Sequence, residues 1–398
     1  MSEIKKKKRI FISACEPSAD SHCAALMNAI SKRSEIEVEW VGVGGKKMAD
    51  SGCELLAETA HRAAMIYNAF GQVGFYIKLL QRIRTYFKSH RVDLVIVCDS
   101  PAFNFHVAKA GKKAGAKVLF YVAPQLWAWG SWRIWKLRRR CDKLACVLPF
   151  EESWFAGRGV DATFVGNPLF DGISIDASKD CRTYTGYDPS RANILLLPGS
   201  RAAEIKLLWP AMQKIAGRIS QRWPGAKFTA AAVDEQKLRM LKENKTSSPE
   251  YEYTIGSVTE SARRADLALV ASGSATLQVA AAGCPMVIMY QSSRVLWHLC
   301  GQWLTRTRYL SLVNILARRK LVSEFMPYFT STEPIFGKCV RLLSGRGRLI
   351  KLSSELVELV EPLSAGNASE NVARMALEMI EESESSKRKA KNSRFASR

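Results

Sequence analysis

Short apolar runs alternate with longer amphipathic stretches along most of this chain. RIFISA (9–14), VEWVGVGG (38–45), LVIVCD (94–99), KVLFYVA (117–123) and LACVLP (144–149) read as strands. Between them, residues 20–32, 75–89 and 104–114 carry helical spacing. The second half repeats the theme in NILLLPGS (193–200), KFTAAA (227–232), YTIG (253–256), LALVAS (267–272) and MVIMY (286–290). Apolar runs with no polar alternation suit strands covered on both faces, as in a parallel sheet flanked by helices. The alternation therefore predicts an α/β chain of two doubly wound, Rossmann-like parallel-sheet domains. The stretch LFDGISIDASKDCRTYTGYDPS (169–190), rich in Gly, Ser and Asp, reads as the linker between domains 1–168 and 191–368. A last helix is expected over 369–382, with Ser369 as a possible cap, followed by a basic tail (383–398) with a disordered composition.

In open α/β sheets, ligands sit beyond the C-terminal ends of the strands. That rule selects three loops in the first half. ACEPSAD puts Glu16, Ser18 and Asp20 after the first strand, and CDSPAFN puts Asp99 and Asn104 after another. APQLWAW puts Gln125 and Trp127 after a third. A carboxylate at a strand end can act as general base toward a hydroxyl. The same residues have local alternatives: Ser18 and Asp20 as helix caps, Asp99 as a turn former before Pro101. In the second half, Gly199, Ser200 and Arg201 make a small-residue turn into a helix, and Ser272, Gly273 and Ser274 make another. Backbone N–H groups at helix starts favour anions, and an arginine adds a fork for phosphate. The pair suits a diphosphate held without metal. No nucleotide fingerprint of the G-x-G-x-x-G type follows the first strand, which counts against an NAD-dependent oxidoreductase.

Charge sharpens this picture. With 59 Lys+Arg against 37 Asp+Glu, the net charge of +22 favours anionic partners. No nucleic-acid reading module accompanies it, so nucleic acid is not expected as a partner. The ten cysteines lack CxxC spacing and form no zinc pattern with the five histidines, so no metal and no cofactor are expected. No run is long and apolar enough to span a membrane, and the apolar run after the basic N-terminus is too short for a signal-peptide core. A cytoplasmic protein, free or attached to a membrane surface, is the expectation. Three segments could meet lipid: 63–80, 295–316, and the stretch 126–140, where tryptophans interleave with Arg and Lys. Buried core is the alternative for each. The sequence specifies no oligomeric state.

The order ACEPSAD, VGVGGKKMADSGCE, CDSPAFN, YVAPQLWAW, VLPFE, VGNP, LLLPGSR, ASGSATLQ, GCPMVIMY, YLSLVNILARRKLVSEF resembles the lipid-A-disaccharide synthase family over roughly residues 9–380. The resemblance implies a GT-B-like fold: two Rossmann-like halves facing an interdomain cleft, with the C-terminal helix returning toward the first half. It implies a peripheral enzyme on the inner face of the inner membrane. Such an enzyme transfers 2,3-diacylglucosamine from its UDP derivative to the 6-hydroxyl of 2,3-diacylglucosamine 1-phosphate, with inversion, and releases UDP. By the same resemblance Asp99 is the leading base candidate, with Glu16 and Ser18 lining its cleft, and Asn314 lies near the donor. Several positions depart from the family pattern. Ala19 replaces a Gly, Gly74 stands in place of a Glu, and Ala102 in place of the second acid of an Asp-x-Pro-Asp motif. Gln278 replaces a Glu that could bind ribose hydroxyls, and Met326 follows Phe325 in a run that has lost its glutamine. These departures leave two rivals: a transferase with another UDP-sugar or lipid acceptor, and a non-catalytic protein that binds nucleotide-lipid or membrane.

Overall fold

The computed structural model describes residues 7–33, 36–59, 69–246, 249–256, 258–292, 307–364 and 366–396. Two compact units divide the chain: Met1–Gly172 with Leu363–Arg398, and Ile173–Pro362. The first unit runs β1 (Lys7–Ala14), α1 (Pro17–Arg33), β2 (Glu37–Gly44), α2 (Lys46–Asp50), β3 (Glu54–Glu58), α3 (Ala69–Ser89) and β4 (Leu94–Cys98). It continues with α4 (Pro101–Lys113), β5 (Lys117–Tyr121), α5 (Ile134–Arg140), β6 (Lys143–Cys146), α6 (Pro149–Ala156) and β7 (Ala162–Phe164). Its strands form one sheet in the order β3-β2-β1-β4-β5-β6-β7. The pairings are parallel throughout, with Ile12 of β1 opposite Gly42 on one side and Ile96 on the other. A side chain at Gly42 would put Cβ 2.0 Å from the Ile12 carbonyl oxygen, so only glycine fits this central register.

The second unit holds α7 (Ala177–Asp180), β8 (Asn193–Leu197), α8 (Ala202–Arg222), β9 (Lys227–Ala232), α9 (Glu235–Glu243), β10 (Glu252–Ile255) and α10 (Val258–Arg264). It continues with β11 (Leu267–Ala271), α11 (Ala275–Ala281), β12 (Met286–Met289), α12 (Leu312–Ala317), β13 (Ser323–Phe325), α13 (Glu333–Leu343) and α14 (Arg346–Val360). Its parallel sheet has the order β10-β9-β8-β11-β12-β13. The central strands β4 and β11 are buried at every position, which explains why their sequences carry no polar alternation.

The chain then returns to the first unit through α15 (Ala368–Ala396). Ala373, Ala376, Met379 and Ile380 of this helix share one core with Cys23, Leu26, Met27 and Ile30 of α1. The cap differs from expectation. Ser369 lies inside the helix, and Asp171 accepts from the amides of Ala368 (2.7 Å) and Ser369 (3.0 Å). The helix also continues to Ala396, through the tail read as disordered. No Gly or Pro interrupts that run, and its Lys, Arg, Glu and Ala are good helix formers.

One further expectation is corrected, and three strands were not foreseen. The stretch read as a linker is anchored in the second unit from Ile173 onward. The Arg182 guanidinium donates to the carbonyls of Ala262, Ala265 and Ala282, and the Tyr187 hydroxyl to Leu343 O (2.8 Å). Strands β3, β7 and β13 had no sequence forecast. They are short, lie at the sheet edges, and each includes charged or polar residues.

Candidate active site

Each sheet reverses its winding direction once. In the first unit the reversal lies between β1 and β4, and in the second between β8 and β11. Ligands of doubly wound sheets bind in the crevice beyond the strand ends at such a point. Glu16 lies two residues past β1, and Asp99 immediately follows β4. Both carboxylates bear on one thiol: burial pushes Cys15 up to about 12, and Glu16 and then Asp99 add to the shift. Tyr76 of α3 joins them. Its phenol is raised by burial first, then by Cys15 and Glu16, and its ring lies 5.0 Å from that of Phe103.

The turn that carries Asp99 is unusual. Asp99 (φ 51°) and Ser100 (φ 43°) are both left-handed, and α4 starts directly behind them with Pro101. A left-handed non-glycine residue costs on the order of 1–3 kcal/mol. Two in succession make a sharp elbow from strand to helix, which leaves Asp99 at the C-terminal edge of the sheet. Val122, after β5, is a third such residue (φ 60°).

The other residues expected in this crevice divide. Ser18 is exposed in the first turn of α1, and Gln125 is exposed, with its carbonyl accepting from Ala128 N and Trp129 N. Asn104 was expected to face a ligand, but it is fully buried beneath the elbow. Asp20 is also buried and caps α2, accepting from Gly45 N (2.7 Å), Lys47 N (3.1 Å) and Met48 N (3.2 Å). Trp127 is buried too, and its indole donates to Glu151 Oε1 (2.9 Å), so its polar atom is not offered to a ligand. Glu151 went unforeseen. Its Oε2 accepts from Val147 N (3.1 Å) and Leu148 N (3.0 Å), and burial raises its pKa to about 7 against the opposing pull of these three bonds. Pro149 at the helix start with an acid two residues on was the available signal.

In the second unit, the small-residue turns after β8 and β11 stand at adjacent strand ends across the switch point. They differ in what their amides do. Glu204 Oε2 accepts from Ser200 N (3.1 Å) and Arg201 N (3.2 Å), and Oε1 lies 3.5 Å from Arg201 Nη1. Gly199 is left-handed (φ 115°), and a Cβ there would sit 2.5 Å from Glu204 Oε2. The expectation that this turn offers its amides to an anion is therefore corrected: a carboxylate of the chain already holds them. The turn presents the exposed Ser200 and Arg201 side chains instead. After β11, Ser272 N bonds Met289 O (3.0 Å), while Thr276 closes the turn onto Gly273 O (2.7 Å through its hydroxyl). Gly273 and Ser274 are exposed, with open space at the Gly273 Cβ position, and Gln278 is half-buried one helical turn on.

Asn314 is elsewhere employed. Its Nδ2 donates to Val322 O (3.0 Å) and Glu324 Oε2 (3.0 Å), and its Oδ1 accepts from Leu321 N (2.8 Å) and Val322 N (2.9 Å). All four positions of a side-chain amide are filled, so the residue brackets the loop before β13 and has no polar atom left for a donor. Of the three segments expected to meet lipid, residues 63–68 and 295–306 lie outside the described residues. Among the described residues no group of three His, Cys, Asp or Glu could hold a metal ion.

Two parallel-sheet α/β units, each with candidate side chains at its switch point, have the architecture of the GT-B fold. Solved structures agree on the fold. UDP-N-acetylglucosamine 2-epimerase from Neisseria meningitidis superposes with a TM-score of 0.60 at 11% identity, covering 94% of this chain and 100% of that one. The calicheamicin glycosyltransferase CalG4 gives 0.57 at 13%, covering 95% and 99%. The family model of lipid-A-disaccharide synthetase matches residues 10–378, and the chain belongs to that family. Lipid-A-disaccharide synthase of Geobacter metallireducens is 32% identical over 94% of this chain and 97% of its own length. Those of Trichlorobacter lovleyi (30%, covering 95% and 99%) and Coxiella burnetii (31%, covering 94% and 99%) are similar. The protein is thus a hexosyltransferase of lipid A biosynthesis that forms the lipid A disaccharide from a UDP-sugar donor and a lipid acceptor.

Proposed function

We propose that the protein moves 2,3-diacylglucosamine from UDP to the 6-hydroxyl of 2,3-diacylglucosamine 1-phosphate with inversion, in a β-1,6 linkage. The observation that carries this reading is the division of chemistry between the two switch points. The first offers carboxylates, Asp99 on its elbow and Glu16 beside it; the second offers small turns and a guanidinium. Asp99 takes the proton of the acceptor hydroxyl as that oxygen attacks the anomeric carbon, with Glu16 as the second carboxylate of the crevice. A positioned base is worth about 10²–10⁴-fold. The bond to the β-phosphate oxygen breaks, and the departing diphosphate is met by Arg201, by the Ser200 hydroxyl and by the Ser272–Gly273–Ser274 turn. Preorganised donors of that kind contribute about 10²–10³-fold each. Gln278 hydrogen-bonds the ribose as a neutral group.

The reaction takes place on the anionic cytoplasmic face of the inner membrane. Trp129, Trp132 and Trp135 are 46%, 65% and 42% exposed, where large apolar side chains are normally covered. Arg133 lies 4.1 Å over the Trp129 ring, and Lys136 lies 5.5 and 5.7 Å from Trp132 and Trp135. Indole rings among cations suit the headgroup layer of anionic lipid. Val73 and Ile77 of α3 add exposed apolar surface in the same unit, and no described helix is long and apolar enough to cross a bilayer. The test is transfer by purified protein from acylated UDP-glucosamine to acylated glucosamine 1-phosphate, read by mass spectrometry. A disaccharide monophosphate with release of one UDP is the expected product. UDP release only with a different acceptor, or none at all, contradicts the reading.

A further inference from the structure

The Asp99 elbow is strained at two consecutive positions. Its helix cap, Ser100, makes no side-chain capping bond, and both residues of the turn are left-handed without being glycine. Such a conformation persists only where neighbouring structure over-determines it. Asp99 N bonds Tyr121 O (3.0 Å) across the sheet, and a second support lies beneath the elbow. Asn104, fully buried one turn into α4, donates through Nδ2 to the carbonyls of Cys98 (2.9 Å) and Asp99 (2.8 Å). Its Oδ1 accepts from the hydroxyl of Ser13 (2.7 Å), itself fully buried on β1. The amide thus ties the end of β4 to β1, the two strands that flank the switch point, and grips the carbonyl oxygens of the peptides before and after the Asp99 Cα.

We infer that Asn104 is a positioning residue, and that the Ser13–Asn104 pair holds Asp99 in the left-handed conformation that aims its carboxylate at the acceptor hydroxyl. The inference rests on the reading of Asp99 as the base. No isosteric residue reproduces the arrangement. Aspartate matches the shape of asparagine but sets a carboxylate oxygen against two carbonyls, and leucine fills the space with no bond at all. Ser13 contributes one bond through a chain of two and is the milder position.

The experiment is a double-mutant cycle on the full-length protein, with kcat and donor KM measured separately. Asn104→Ala is expected to lower kcat by about 10–100-fold, the scale of lost placement of a general base. Donor KM should stay within about threefold, because the diphosphate is met in the other unit, and Ser13→Ala should lower kcat by less than Asn104→Ala. In an Asp99→Ala background both substitutions should cost nothing further, since a residue acting through another loses its effect when that partner is gone. Losses that multiply with Asp99→Ala, or an unchanged kcat in Asn104→Ala, overturn the inference. If Asn104→Ala fails to fold, Ser13→Ala carries the cycle with the same criterion. The Asp99→Ala arm alone tests the underlying reading: wild-type turnover there removes the base, and with it the role of Asn104.

Discussion

The two switch points reach their sharp turns by opposite means. After β8 the left-handed position is a glycine, Gly199, which adopts φ 115° without penalty and leaves room for the Glu204 carboxylate. After β4 the left-handed positions are Asp99 and Ser100, which adopt it at a cost, with a buried asparagine gripping the peptide oxygens. The difference follows from what each turn must present. A glycine turn has no side chain at its tip, so its chemistry lies in the flanking Ser200 and Arg201. An elbow whose tip must itself carry a carboxylate cannot use glycine there, and the strain is the consequence. The first switch point therefore carries a side chain at the very tip of its turn, and the second carries its side chains beside a glycine tip.

The largest effects should come from the tips. Asp99→Ala and Arg201→Ala should each lower transfer by at least about a hundredfold, for unlike reasons: lost proton removal and lost charge on the leaving group. Steady-state kinetics on both lipids would blur the comparison if Asp99→Ala raised donor KM as strongly as Arg201→Ala. Next comes the support of the glycine turn. Glu204→Gln weakens an acceptor shared by two amides, and Gly199→Ala forces a Cβ onto the Glu204 carboxylate. Each should raise donor KM by roughly 10-fold, about 1.4 kcal/mol and near the lower end of what a charged hydrogen bond contributes, while kcat at saturating donor changes less. A lowered kcat with unchanged KM would place this turn on the acceptor side.

The exposed indoles should matter less to chemistry than to location. Trp132→Ser with Trp135→Ser should reduce co-flotation with vesicles containing anionic lipid several-fold and leave transfer in detergent near wild type. Equal flotation of the variant would move the docking surface elsewhere. Glu151→Gln should affect transfer least and stability most legibly. Its carboxyl titrates near 7 in the folded protein against an ordinary value of 4.5. The folded state binds the extra proton, so the stabilisation is complete below about pH 4.5 and is lost as pH rises through about 7. Wild type should therefore lose melting temperature between about pH 5 and 8 relative to Glu151→Gln, and parallel curves would contradict the burial of that carboxylate.

Much of this architecture could be read before any coordinates. The inner strands announce themselves because both their faces are buried, and the strand-end rule then points at Glu16, Asp99, Arg201 and Ser272–Ser274 without further information. The edge strands β3, β7 and β13 stayed hidden because their partly solvated positions admit charge. Sequence could not show which polar groups were already taken. Asn314, Trp127, Asn104 and Glu204 all have the composition of ligand contacts, and their commitments run to partners chosen by the fold: Trp127 to Glu151, Asn104 to Ser13, 91 residues away. Residue type and position on a strand end locate a crevice; only the hydrogen-bond inventory separates the residues facing it from those that build it.

The most direct test of the central claim, a carboxylate in one unit and a diphosphate grip in the other, is calorimetric titration of UDP into wild type, Asp99→Ala and Arg201→Ala. The account predicts wild-type affinity for Asp99→Ala and at least about tenfold weaker binding for Arg201→Ala, as expected for loss of a charged hydrogen bond. Retained binding in Arg201→Ala together with loss in Asp99→Ala would contradict it.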